Sequence, residues 1–184
     1  MKCISLWQPW AQLIALGQKR FETRGWPTRH RGAILIHAAK VRKNEAKEML
    51  HFDVFWRALN TPSAKWIYAE QIWNSLPFGA IVCTADLVEC WEIRCDKLYA
   101  RGVMAPLPEG PEKEFGNYDT GRYAWELANV RMFAKPVPYV GHQGLFDVPL
   151  YDLPPATLTY AAVPAPARIA PSIPQDERDS FHFA

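Results

Sequence analysis

A chain of 184 residues, 49% hydrophobic and 22% charged, suffices for one folded domain with a sizeable core, leaves little room for a second, and excludes global disorder. The net charge is only +2, yet residues 18 to 47 carry nine Lys or Arg against Glu22 and Glu45, so positive charge is gathered in one stretch. The four cysteines form no C-x-x-C pair and stand at no ligand spacing with the five histidines, and no apolar run approaches membrane-spanning length. No metal, cofactor or membrane is therefore expected. The start of the chain reaches Gln8 and Pro9 before a signal-peptide core could form, which predicts a cytoplasmic protein with reduced thiols.

In chain order, residues 2 to 6 read as a short strand. A first helix follows, with Pro9 in its opening turn, Trp10, Leu13 and Ile14 on one face, and Gly17 at its stop. Ala33 to Ala38 is an apolar run of the kind that forms a buried strand. Residues 43 to 59 carry Ala46, Met49 and Leu50 at helical spacing, and Ser63 is placed to cap a further helix to about Asn74, carrying Trp66, Glu70 and Trp73. Gly79 to Ile93 alternates as one long strand, with Ile81, Cys83, Ala85 and Leu87 on one side and Thr84 and Asp86 on the other, before a polar helix or loop near Asp96. Gly102 to Gly121 reads as a long loop and a candidate lid. Tyr123 to Phe133 and Gly144 to Val148 read as closing strands, joined through Pro136 and Pro138 at an edge or turn. The organisation expected is a domain over residues 1–150 and a Pro/Ala-rich tail over 151–184.

The helix stop at Gly17 is followed at once by Lys19, Glu22 and Arg24: a point charge, an acceptor and a planar guanidinium fork. This mixed set suits a phosphate together with a base or amide edge. Its plainer alternative is a solvated strand with a local ion pair. In an extended segment Glu22 and Arg24 share one face and Phe21 and Thr23 the other, and Lys19 joins the first pair only if the turn after Gly17 rotates it inward. Trp7, Trp10 and Trp26 lie near this cluster as possible stacking faces, and the basic stretch around it suits a phosphate backbone.

The pattern G-x-K-x-x-E-x-R, present as Gly17, Lys19, Glu22 and Arg24, resembles the hallmark of the ASCH domain, a family of the PUA-like superfamily of small RNA-associated β-barrels. Further segments agree in order and spacing: Ser5-Leu6-Trp7-Gln8-Pro9-Trp10-Ala11, Arg31-Gly32 before Ile34 to Ala38, Leu76 to Ile81, Tyr123 to Leu127, and Gly141 to Phe146. Together they cover roughly residues 1 to 148. The resemblance implies an α+β fold, a small mixed β-barrel with peripheral helices, whose cleft is lined by Lys19, Glu22 and Arg24 and binds RNA or a modified nucleoside. Trp26 and His37 join this substrate-binding set. Gln8 and Trp10 are expected to support the cleft from the first helix, and Tyr123 and Gln143 to form rims from the closing strands.

The resemblance also implies two enzymatic alternatives. One branch of the family consists of N4-acetylcytidine amidohydrolases, in which a threonine stands where this chain has Glu22. Lys19 and Arg24 carry over but the threonine does not, since Thr23 is one place off and faces the other way. Catalysis by Lys19 and Glu22 would then need another nucleophile or a water activated by Glu22, with Lys19 on the oxyanion. A second branch has ribonuclease activity. Here His37 and Lys40 are the candidates for acid and base, set against a purely packing role for His37.

Overall fold

The computed structural model describes residues 1–60, 68–153 and 159–161. Among these the strands are β1 (Lys2–Leu6), β2 (Phe21–Arg24), β3 (Gly32–Ala38), β4 (Ala80–Arg94), β5 (Lys97–Ala100), β6 (Val103–Pro106), β7 (Tyr123–Pro138) and β8 (Leu145–Asp147). The α-helices are α1 (Trp10–Ala15), α2 (Asn44–Glu48), α3 (Asp53–Leu59), α4 (Ala69–Ser75) and α5 (Pro111–Glu114). The class is mixed α+β, as expected. All strands belong to one sheet in the order β2-β7-β4-β3-β1-β8, with β5 and β6 extending from β4. The hydrogen-bonded path stays open, ending in β2 on one side and β8 on the other, so these pairings do not close the anticipated barrel.

The centre of the sheet explains its register. β1 and β3 run parallel, from Lys2 opposite Ile34 to Leu6 opposite Ala38, a pairing that needs the crossover supplied by α1 and β2. β4 lies antiparallel to β3 on one side and to β7 on the other. β4 and β7, 15 and 16 residues long, could not stay regular over that length, and their pairing shifts register at three places. Such bulges bend a sheet and increase its twist. Ile4, Ile34, Ile36, Ala85, Leu87 and Trp125 pack with Ala11 and Ile14 of α1 in one buried apolar cluster. The opposite face of α1, through Leu13 and Leu16, joins Leu50, Phe55, Ile72 and Phe115 in a second apolar cluster beneath the helical layer. Among the described residues no helix is long and apolar enough to cross a membrane.

Three expectations are corrected, and near Asp96 the loop alternative holds in a sharper form. The helix read over 43 to 59 is broken: Met49–His51 tighten into a 3-10 turn and Phe52 is extended, with φ −80° and ψ 128°. The break lets Ala46 and Leu50 on one side of it and Phe55 and Leu59 on the other bury in the same cluster, which one straight helix could not do. The polar segment near Asp96 is a hairpin turn, because Cys95 and Asp96 take φ of 44° and 58°, the conformation of a two-residue turn between twisted strands. Arg101 and Gly102, with φ of 50° and 78°, make a second such turn into β6, so the supposed loop from 102 begins as a strand and later contains α5. β7 also continues through Pro136 to Pro138, which pairs opposite Ala80; Pro136 falls in the register shift between the Cys83–Met132 and Ile81–Val137 pairs, where no ladder donor is required of it.

Ser63 and Trp66, read as parts of a second helix, lie outside the described residues, as do residues 154–158 and 162–184 of the expected tail. Within the tail, Leu150–Asp152 form a 3-10 turn and Tyr160 bridges to Phe133.

Candidate functional site

The end of α1 sets the site. Gly17 takes φ +69°, and the amides of Gln18 and Lys19 both donate to the Leu13 carbonyl, at 2.9 and 3.2 Å. This turn folds the chain back and rotates Lys19 inward, so that only 1% of it is exposed. Its Nζ donates to the Phe21 carbonyl and stands 3.7 Å from Glu22 Oε2. Burial pulls the Lys19 pKa down, and the nearby Glu22 and Glu112 carboxylates oppose that pull. β2 then pairs with β7, Glu22 opposite Trp125 and Arg24 opposite Tyr123. Glu22 is 8% exposed, and its second oxygen, Oε1, faces Arg24 Nη1 at 3.5 Å. A carboxylate so held has a cation behind it and a guanidinium beside it.

The segment from α5 to β7 is stapled to this strand. Glu112 accepts the amides of Arg20 and Phe21 at 2.7 and 3.0 Å, satisfying the first donors of the motif. Thr23 Oγ1 accepts the Asn117 amide at 2.9 Å, and Arg122 donates to the Thr23 carbonyl at 3.3 Å and to the Asn117 carbonyl at 3.2 Å. Glycine is required at 116, where a Cβ would come within 2.8 Å of the Tyr118 ring. Burial and the adjacent Glu112 and Glu22 carboxylates raise the Tyr118 pKa, which keeps its hydroxyl protonated. The segment is a fixed wall rather than a free lid.

These elements enclose one side of a cleft of about 1740 Å³. Glu22, Thr23, Arg24 and Trp26 line one part of it. The Trp26 ring packs edge-on against Trp125, with centroids 4.7 Å apart, and the Arg24 guanidinium lies 5.6 Å from the Trp26 ring centre. In another part, Ser5 Oγ and His37 Nδ1 are 2.9 Å apart, and His37 Nε2 is 3.0 Å from the Tyr139 carbonyl. A carbonyl can only accept, so Nε2 carries the proton and Nδ1 accepts from the Ser5 hydroxyl. Burial lowers the His37 pKa, the Tyr139 carbonyl works against that, and His142 adds to it. Gly141 rests on this pair so closely that a Cβ there would lie 2.5 Å from both His37 Nδ1 and Ser5 Oγ.

Of the residues expected at the site, Glu22, Arg24, Trp10, Trp26, His37 and Gln143 line the cleft. Lys19 sits beneath its wall. Gln8 is buried and structural in its contacts, accepting the Gln12 amide at 3.0 Å and donating to the Pro77 carbonyl at 2.7 Å, so it ties α1 to the chain before β4. Tyr123 is half-buried on β7, opposite Arg24, and is not among the lining residues. Sequence reading missed Arg122, Asn117, Ser5 and Phe78, all of which line the cleft. For Arg122 the only available signal was a cation immediately before the Tyr123 strand; the others carry no pattern of their own.

The ASCH domain family model matches residues 4–137. Over 88 residues, 48% of this chain, the sequence is 34% identical to Activating signal cointegrator 1 of Homo sapiens and 33% identical to the protein of that name from Mus musculus. The aligned stretch spans 14% of the length of each of these relatives.

Proposed function

The chain belongs to the ASCH domain family, and from that premise we propose that it recognises RNA or a modified nucleoside, on a PUA-like scaffold formed by residues 1–150. The observation that carries this reading is the Glu22 carboxylate, fixed at the cleft wall between buried Lys19 and half-buried Arg24, beside the Trp26 ring. A carboxylate accepts from an exocyclic amine or ring N–H, a guanidinium donates to a base oxygen, nitrogen or phosphate, and an indole offers a π-face. Side by side, the three match the edge and the face of one base. Lys19 serves as a positioning residue: it holds Glu22 in place from behind and touches no ligand.

Calorimetric titration of the wild type with nucleosides and single-stranded RNA tests this, beside Glu22→Gln. Binding that discriminates among bases in the wild type and not in the variant supports it. Absence of any binding at low salt overturns it.

A hydrolytic reading has one observation in its favour. The Ser5 hydroxyl is hydrogen-bonded to neutral His37 in the same cleft, a pairing in which Nδ1 could take the proton as Oγ attacks an acyl carbonyl. Release of acetate from N4-acetylcytidine, lost in Ser5→Ala, would move the assignment from binder to amidohydrolase; an unchanged nucleoside mass would end that reading.

A further inference from the structure

The cleft is larger than one nucleoside requires. Pockets that enclose a single small molecule commonly measure about 300–1,000 Å³, whereas this one measures about 1740 Å³. The surplus has a distinct chemistry. Trp7, Lys40, Val41 and Phe78 line the cleft along with the Glu22 and Arg24 wall. Trp7 is 52% exposed, unusual for so large an apolar ring, and Lys43 Nζ stands 5.3 Å from its centre. The Arg42 guanidinium lies 4.2 Å from the centre of the Phe78 ring.

Among the described residues the cations here have no carboxylate partner. Elsewhere in the described residues Arg31, Lys47, Arg57 and Arg94 each pair with a carboxylate, while other cations such as Arg29 and Lys135 stand singly; here three fall within four residues of chain. Among those residues no carboxylate forms an ion pair with Lys40, Arg42 or Lys43, although Arg42 lies 3.5 Å from the Asn74 side-chain oxygen. Lys43 beside the half-exposed Trp7 indole, with Arg42 over the neighbouring Phe78 ring and Lys40 on the cleft wall, forms a combination that can hold a phosphate and stack the base attached to it.

We propose that this part of the cleft is a second nucleotide subsite, with Trp7 as the stacking platform and Lys40, Arg42 and Lys43 on the phosphate, so that the ligand is a single strand rather than a free nucleoside. The inference rests on the reading of Glu22 and Arg24 as the first subsite. A base stacked on Trp7 must be unstacked from its neighbours, which a duplex does not allow without melting.

The test is titration with a mononucleotide, a single-stranded RNA hexanucleotide and a duplex of the same length, using wild type, Trp7→Ala and Lys43→Ala. Trp7 is half-exposed, so its truncation leaves the core untouched. The hexanucleotide should bind more tightly than the mononucleotide and the duplex. Trp7→Ala should weaken the hexanucleotide by about tenfold to a hundredfold, so that it loses most of its advantage over the mononucleotide, and Lys43→Ala should lower the salt slope by about one. Affinity independent of length, a duplex bound as well as the single strand, or a hexanucleotide indifferent to Trp7→Ala overturns the second subsite while mononucleotide binding keeps the first. Length- and Trp7-dependent binding that ignores Glu22→Gln supports the platform and overturns the first subsite instead. No binding of any ligand overturns both.

Discussion

Lys19 lies behind Glu22, its Nζ 3.7 Å from Glu22 Oε2 and turned away from the cleft that the carboxylate faces. The two residues three apart in the motif therefore do different work. On the proposed reading Glu22 is the residue that meets the ligand, and Lys19 supplies the buried counter-charge that lets a carboxylate only 8% exposed stay in the cleft wall.

Removing that counter-charge should be costly. Lys19→Met leaves Glu22 with Arg24 alone and should destabilise the fold by about 3–5 kcal/mol, the range for breaking a buried pair from one side. Lys19→Met combined with Glu22→Gln should recover most of that loss, because no unmatched charge remains. Denaturant unfolding of the wild type, both single variants and the double variant measures the coupling; a double variant as unstable as the sum of the singles would refute the pairing.

Arg24 and Glu22 should separate in a binding assay. Arg24→Ala should reduce affinity for all RNA sequences and lower the salt slope by about one. Glu22→Gln should instead alter the preference among bases. Equal effects of both on a panel of homopolymers would contradict the division of roles.

Gly141→Ala tests the close approach over Ser5 and His37. A methyl at that position has no room, since its carbon would lie 2.5 Å from Ser5 Oγ. The chain around 141 must move outward, with a stability loss of about 1–3 kcal/mol and weaker binding by the cleft rim. Thermal unfolding and RNA titration of the variant read both consequences, and a wild-type melting point would show that the contact is not tight.

His37 makes stability depend on pH. Its folded pKa lies below the ordinary 6.5, chiefly through burial. The folded state therefore binds fewer protons than the unfolded state, so the contribution of His37 is fully present above pH 6.5 and declines as pH falls through the folded pKa. His37→Asn should flatten the wild-type decline over that window. Unfolding free energies measured from neutral pH downward give the comparison, and parallel curves would remove His37 from the account.

Much of this was legible in the sequence because local signals agreed with the fold. Gly17, at φ +69°, ended α1 where the helix stop indicated, and Cys83, Ala85 and Leu87 share a buried face of β4 as their alternation indicated, whereas Ile81 packs in a different cluster because the register shifts between it and Cys83. The hairpin turns at Cys95-Asp96 and Arg101-Gly102 were not legible, since the first lacks the Asn-Gly or Asp-Gly signature that positive φ usually brings. The site was half legible. Spacing placed Glu22 and Arg24 on one face, but whether Lys19 fronts or backs the carboxylate depends on the turn after Gly17. Arg122, through its guanidinium to the Thr23 carbonyl, and Asn117, through its amide to Thr23 Oγ1, reach β2 from some 100 residues away, a separation that local spacing does not reveal.

The most direct test of the central claim is to locate the nucleic acid on the protein. Single-stranded RNA carrying 4-thiouridine, photo-crosslinked to the wild-type chain and mapped by mass spectrometry, should mark peptides containing Trp26, Trp7 and the 141–144 segment. Crosslinks confined to the β5–β6 hairpin, or spread without preference over the surface, would contradict a cleft built around Glu22 and Arg24.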